Sequence, residues 1–593
     1  MGAGTDNRIL TDRTHSLAGE NTSVTDQIAS CFSGGMQKLT LNKKNTDIFA
    51  GLGSTPSVNS VKSNTTYFKH LIMKALVFCL AIFIAGLSHT AGQTAPVIDI
   101  DPVVEKIIET GRTDNRTMEH LDVLSNRIGG RLSGSDGYAN AANWAASKFR
   151  EWGMIVEMDE AGEVPVGFNR GPWFGRMIGG DGMTLHFATP SYTSGTRGVQ
   201  RGHVVIEPKT RAQFERMKGT LDGAWVLITG TNDGWPVDIS DEAHERRQLI
   251  IERNEEIEQK NSEIRMANRG RPEEEHEDLI TLQDEPALLY REMIDAGILG
   301  IIQKSAVPIR ALYDRRNLDN MTFDNLPSTP DIRLNEHQYA IIEQMARERI
   351  YFQLEFDIRN HFKPGPVKYH NVIGIIPGTE FPDEYVIMGG HLDAFDVATG
   401  GVDNGSGVSP AMEAARLIMA AGGKPRRTIL VCLWAAEEFG LIGSRHWVEH
   451  NADKLDRISN MFNRDSGPLV ASSLSVTPAM WDDMERITAP LNSINPDFPF
   501  ELREHTPRRI PAVARGTDSG SFAVKGVPVM TFGLSDPKGY DFRYGEIWHT
   551  ERDLYNMSIA GYQEHTSIVT AIVVLGIANL DHLLPRDGYW IED

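Results

Sequence analysis

From Tyr369 onward, short apolar runs that read as β-strands alternate with helical stretches, and the strands stop at acidic residues or histidine. "HNVIGIIPG" is a strand and a turn, and "DEYVIMGG" is a strand whose C-terminal end is His391. "SGVSPAMEAARLIMAAGG" is helical and closes at Gly422-Gly423. "RRTILVCLWAAEE" is a buried strand ending at Glu437 and Glu438, and "GLIGSRHWVEHN" is a helix. "RISNMFNRDSG" is a strand ending at Asp465, and "GVPVMTFGL" is a further strand. "NMSIAGYQEHTSIVTAIVVLGIANLDHLL" is a long closing helix. Alternating strands and helices predict an α/β fold, a mostly parallel mixed sheet sandwiched by helices.

In such a sheet, ligands gather beyond the carboxyl ends of the strands. His391 and Asp393 end one strand, and Asp403 follows in the next loop. Glu437 and Glu438 end the second, Asp465 ends the third, and His549 lies on the loop "GEIWHTERDLY" before the last helix. Two histidines and several carboxylates suit a borderline cation such as zinc. They are more groups than one four-coordinate zinc needs. Two metals about 3.5–4 Å apart, bridged by one carboxylate, would use them. In the Glu437-Glu438 doublet, one glutamate then binds metal and the other serves as general base. The glycines of "GGHLDAFDVATGGVDNGSG" let the backbone turn sharply between a strand end and a helix. Asp396 in that stretch reads as a loop residue. His446 and His450 have metal-binding spacing on a helix but read as lacking a nearby acidic base, and so as surface or core groups. Tyr540 and Tyr544 precede His549, where a tyrosine hydroxyl could stabilise an oxyanion. Arg515 and Asp518, in "RGTDSGSF", are further candidates to meet substrate, Arg515 through a carboxylate.

The series His391-Leu-Asp393, Gly-Val-Asp403-Asn-Gly-Ser-Gly, Ala-Ala-Glu437-Glu438, Arg-Asp465-Ser-Gly and Trp-His549-Thr resembles the co-catalytic di-zinc exopeptidases of peptidase family M28. "HLDAFDVATGGVDNGSG", "LWAAEE" and "RDSG" look nearest to its carboxypeptidase Q branch. The resemblance implies a zinc-exopeptidase fold with two zinc ions per chain. His391 and Asp465 would hold one, Glu438 and His549 the other, and Asp403 would bridge. Glu437 would be the general base, with Asp393 orienting His391. It also implies a β-rich protease-associated domain within residues 161–365. The expected activity is hydrolysis of dipeptides or short peptides, as an aminopeptidase or a carboxypeptidase Q-like dipeptidase. Two other readings remain beside it: a non-catalytic receptor-like binding protein on the same fold, and a single-zinc glutaminyl-cyclase-like acyltransferase. The complete ligand set argues against both.

The implied division is an N-terminal helical part over 98–160, the insert over 161–365 and the catalytic region over 366–593. Asp238–Asp278 interrupts the insert and is dense in Glu and Arg. Ile250, Ile257 and Ile264 repeat there every seven residues, for only about two heptads. That pattern fits a solvated helical excursion better than a coiled coil joining a homodimer.

Before this, residues 1–72 are polar and weakly patterned, and read as an extension foreign to the fold. From Met73, Lys74, the apolar run Ala75–Leu87 and the small residues Thr90-Ala91-Gly92 form a secretory signal pattern over 73–92. The run is short of the roughly 20 residues that span a bilayer, so a secreted or periplasmic protein is expected rather than one tethered by an uncleaved anchor. Of Cys31, Cys79 and Cys432, only Cys432 would survive cleavage, as a core residue without a disulfide. The net charge of −21 disfavours nucleic acid as a partner.

Overall fold

The computed structural model describes residues 101–591 except 181, 231–232 and 315–316. The polar extension, the signal pattern, Cys31 and Cys79 lie outside the described residues.

A six-stranded mixed sheet carries the site. Its strand order is Ile155–Asn169, His361–Ile376, Arg427–Trp434, Phe381–His391, Ile458–Asn463 and Val529–Met530. The last four are mutually parallel, and the first two run antiparallel at one edge. All eight residues of Arg427–Trp434 and all six of Ile458–Asn463 are buried. Strands covered on both faces have no solvent side, hence their near-continuous apolar runs.

Side-chain alternation divides the core in two. Val386, Met388, Ile429, Val431 and Leu433 face one cluster, with Met412 and Leu417 of helix Gly405–Ala420 and Ile568 and Ile572 of helix Ala560–Ala578. Ile387, Leu430, Cys432 and Trp434 face the other, with Trp447 of helix Ile442–His450 and Phe522 of helix Ser519–Ala523. There Trp434 lies 6.1 Å from the Trp447 ring and 5.7 Å from Phe522. Truncating such a residue would cost about 3–5 kcal/mol. Cys432 is a buried free thiol in this layer.

Strands Ile155–Asn169 and His361–Ile376 pair from Ile155 with Ile375 out to Asn169 with His361. Between them the chain builds a seven-stranded sheet. Its order is Trp173–Ile178, Gln353–Ile358, Gln200–Ile206, Ala224–Ile228, Gly300–Ser305, Asp331–Asn335 and Phe187–Ala188. Four adjacent strands, from Gln200–Ile206 to Asp331–Asn335, are parallel.

Helix Asp241–Asn268 leaves this sheet, and its organising heptad is not the isoleucine one. Ile250, Ile257 and Ile264 are only half-buried. The seam is Asn254, Asn261 and Asn268. Asn254 Nδ2 donates to the Gln283 carbonyl at 2.8 Å, and its Oδ1 accepts the Gln283 N–H at 2.7 Å. Asn261 pairs in the same way with Ile280 at 2.8 and 2.7 Å. Asn268 pairs with Glu277 at 2.9 and 2.9 Å. Seven helical residues rise about 10.5 Å and three extended residues span about 10 Å, so the two repeats keep step.

Candidate metal centre

Four loops converge at the carboxyl edge of the six-stranded sheet. The first follows His391. Its turn requires glycine at Gly400, where φ is 61° and a Cβ would lie 2.7 Å from the Arg131 guanidinium. At Gly407 a Cβ would lie 2.1 Å from the Arg464 carbonyl, so glycine lets the helix start approach the third strand. The second loop follows Trp434. Ala436 adopts φ 52°, turning the chain so that the N–H groups of Glu437 and Glu438 meet the Asp393 carboxylate at 3.2 and 3.4 Å. The third carries Asp465. The fourth carries His549, itself at φ 58°.

His391 Nε2 lies 3.2 Å from Asp403 Oδ1 and 3.6 Å from Asp465 Oδ1. His549 Nε2 lies 3.4 Å from Asp403 Oδ2 and 3.0 Å from Glu438 Oε2. Two triads result, His391–Asp403–Asp465 and Asp403–Glu438–His549. Within each, the ligand atoms all lie within 4.8 Å of one another. Asp403 belongs to both and turns one oxygen to each histidine. Asp393 stands behind His391, whose Nδ1 is 3.0 Å from the Asp393 carbonyl oxygen.

Burial pushes the Glu438 carboxyl well above its ordinary range, and nearby Asp403 adds to the rise. Burial does the same to Glu437, offset in part by His391. His391 is pulled down by burial, but the carboxylates of Glu437 and Asp465 outweigh this and raise it. Asp403 Oδ2 and Glu438 Oε1 are buried with no hydrogen-bond partner. Close carboxylates with orphaned oxygens are the surroundings that bound cations would compensate. The donor set of two histidines and three carboxylates fits zinc.

A cavity of about 620 Å³ opens over the cluster. Asp403, Glu437, Glu438, Asp465 and His549 line its floor. Asp233, Trp235, Arg310, Leu312 and Tyr313, from connections of the seven-stranded sheet, line one wall. Arg515 lines it too, between Ala514 and Gly516. The other substrate candidates do not. Asp518 is fully buried, with its pKa pushed up to about 7 by burial. Tyr540 is exposed and turns its ring to Tyr562 at 5.5 Å. Tyr544 is half-buried against Gly467, and burial with nearby Asp403 raises its hydroxyl pKa. Loops without periodicity do not reveal such orientations.

Asp396 lies in the loop, as the sequence implies, and its side chain forms a buried ion pair with Arg170 at 2.8 Å. His446 does have an acidic neighbour, with Nε2 3.4 Å from Asp159, and its ring stacks on His450 at 4.0 Å.

Two supporting residues were missed. Arg131, wholly buried, donates to the carbonyls of Leu392 at 2.7 Å and of Thr399 and Gly400 at 2.9 Å. Asp553 accepts the Val402 N–H at 2.6 Å and holds the Asp403 N–H. Neither carries a local signal beyond a charged residue near a motif.

Residues 371–573 match the sequence profile of peptidase family M28. Carboxypeptidase Q of Mus musculus is 22% identical over 529 residues, covering 85% of this chain and 96% of that one. A probable glutamate carboxypeptidase of Arabidopsis thaliana is 45% identical over 129 residues, 21% of this chain and 18% of its own length. The crystal structure of a peptidase M28 precursor from Shewanella amazonensis superposes with a TM-score of 0.50 at 18% identity, over 82% of this chain and 97% of that one, a likeness of fold. The profile lies across all four loops of the candidate centre: residues 371–573 are a peptidase family M28 region, the comparisons support a metallo-exopeptidase, and over most of its length the chain is similar to carboxypeptidase Q.

Proposed function

We propose that the protein removes a terminal residue from dipeptides or short peptides, using two zinc ions per chain. The observation carrying this reading is the position of Asp403, with Oδ1 3.2 Å from His391 and Oδ2 3.4 Å from His549. A bridging carboxylate between two imidazoles is what a two-metal site needs. His391 and Asp465 would hold one zinc, Glu438 and His549 the other, with Asp403 between them. When bound, the ions supply Lewis acidity, which acidifies water and polarises the scissile carbonyl.

The chain's own residues do the rest. Glu437 lines the cavity with its backbone fixed by Asp393. Cations nearby would bring its raised pKa down, so that its carboxylate takes a proton from the attacking water. It then delivers that proton to the nitrogen of the leaving amine. The aromatic wall of Trp235, Tyr313, Phe395 and Trp548 would exclude water around the substrate. We read the seven-stranded sheet as the protease-associated module that brings part of this wall.

The reading includes export, on the signal pattern from Met73. Among the described residues no helix is long and apolar enough to cross a membrane. The test is zinc analysis of purified protein beside a panel of free dipeptides, N-blocked peptides, C-blocked peptides and Gln-initiated peptides. Two zinc ions per chain and hydrolysis of unblocked dipeptides are expected. One zinc with cyclisation of Gln-initiated peptides would overturn the proposal, as would absence of both turnovers in zinc-loaded protein.

A further inference from the structure

The loop between Asp393 and Asp403 is tied to the seven-stranded sheet by two consecutive residues. Asp396 and Arg170 are both almost wholly buried, with Arg170 Nη2 2.8 Å from Asp396 Oδ1. Arg170 directly follows Asn169, where the edge strand leaves the six-stranded sheet. The Ser191 hydroxyl donates to the same Asp396 oxygen at 2.5 Å. Arg170 Nη1 donates to Thr189 Oγ1 at 2.7 Å. Thr189 and Ser191 follow strand Phe187–Ala188 of the second sheet, and the Ser191 N–H donates to the Leu312 carbonyl at 2.7 Å. Next door, the Phe395 ring lies 4.6 Å from the His549 imidazole and is stacked 6.1 Å from Tyr313. Gly130 closes the third side: a Cβ there would lie 2.5 Å from Asp396 Cα.

This pair is poorly built for stability. Asp396 Oδ2 and Arg170 Nε are buried without hydrogen-bond partners. Desolvation of a buried ion pair offsets most of its attraction, and incomplete satisfaction worsens the balance. What it does supply is a fixed register between two sheets.

We propose that Asp396 and Phe395 are positioning residues: anchored to Arg170 and Tyr313, they transmit the placement of the second sheet to His549 and so hold one of the two metal positions in shape. The inference rests on the two-zinc reading.

The experiment compares wild type, Asp396→Asn, Phe395→Leu and the double variant Arg170→Gln/Asp396→Asn, all well below their Tm values. Zinc retained under chelator competition, kcat, KM and Tm are measured. In Asp396→Asn and Phe395→Leu, one of the two zinc ions should bind about tenfold more weakly and kcat should fall about tenfold. The double variant leaves no buried unpaired charge, so it should regain Tm without regaining kcat. If Asp396→Asn loses Tm but keeps wild-type zinc affinity and kcat, the pair is structural only and the proposal fails. It also fails if the double variant regains kcat, which would make charge balance, not register, the requirement. Should Asp396→Asn not fold, Arg170→Lys, which keeps the charge but loses the fork, must show the same loss of zinc affinity or the proposal fails. A wild type holding one zinc would sink the two-metal reading and this proposal with it, whereas two zinc ions in wild type with unchanged zinc affinity in the variants would sink the proposal alone.

Discussion

Asp553 grips Asp403 by its backbone: both carboxylate oxygens lie 3.3 Å from the Asp403 N–H. The Asp553 carbonyl also accepts the N–H of Thr399 at 3.1 Å, so one residue holds both ends of the glycine turn. Asp553→Ala should therefore weaken metal binding by about 10–100-fold without touching a ligand. Metal content after dialysis against graded chelator is the readout. Wild-type retention would show that Asp403 is oriented without help.

Glu437 and Glu438 are neighbours on one turn, yet only Glu438 belongs to a triad with His549. Glu437→Gln should keep full metal content and lose activity by about 10²–10⁴-fold. Glu438→Gln should lose metal as well. Parallel metal analysis and initial rates separate the two, and equal metal loss in both variants would refute the division of roles.

Arg131 is a buried cation whose described partners are backbone carbonyls. Burial lowers its pKa to about 10, with the carboxylates of Asp553 and Asp393 opposing the fall. Arg131→Met fills similar space but leaves those carbonyls unpaired, each at about 1–3 kcal/mol. A drop of at least 3 kcal/mol in urea-derived stability is expected. A change below 1 kcal/mol would mean the loop is held by other contacts.

His565, 4% exposed, lies 5.1 Å from the Phe498 ring with an unpartnered Nε2. Burial, aided by Arg112, depresses its pKa to about 4. The folded value lies below the ordinary value near 6.5, so the unfolded chain takes up the proton first as pH falls. Its contribution is intact above about pH 6.5 and is lost between there and about pH 4, amounting to as much as roughly 3 kcal/mol. His565→Phe should flatten the fall in Tm between pH 7 and 5. Parallel Tm curves for variant and wild type would rule this out.

Asn261 anchors the extended segment through two hydrogen bonds to Ile280. Asn261→Ala removes both, which should raise protease cleavage within residues 271–285 severalfold while leaving kcat unchanged. Unaltered cleavage would mean that Asn254 and Asn268 suffice.

The α/β alternation and the strand ends that carry the candidate ligands were legible in the sequence for a physical reason. A buried parallel strand must be apolar throughout, so a His, Asp or Glu at its end stands out. His391, Glu438 and Asp465 are of this kind. The heptad in the charged helix was legible as a period but misleading as to its residues. Apolar spacing draws the eye to Ile250, Ile257 and Ile264, whereas the seam is made by amides pairing with backbone.

The sequence by itself determined the chemistry available, the donor types and the order in which they arrive at one edge of one sheet. Only the tertiary structure decided who faces whom. Asp396 and Arg170 are 226 residues apart and His391 and His549 still approach a single Asp403. Such pairings depend on the turn at Gly400, the left-handed Ala436 and the antiparallel ribbon that returns the second sheet to the first. Periodicity reports which face of an element is apolar, because that is a local property repeated along the chain. A polar partner across space leaves no period, so Arg131, Asp553 and Asp396 became visible only when the loops were brought together.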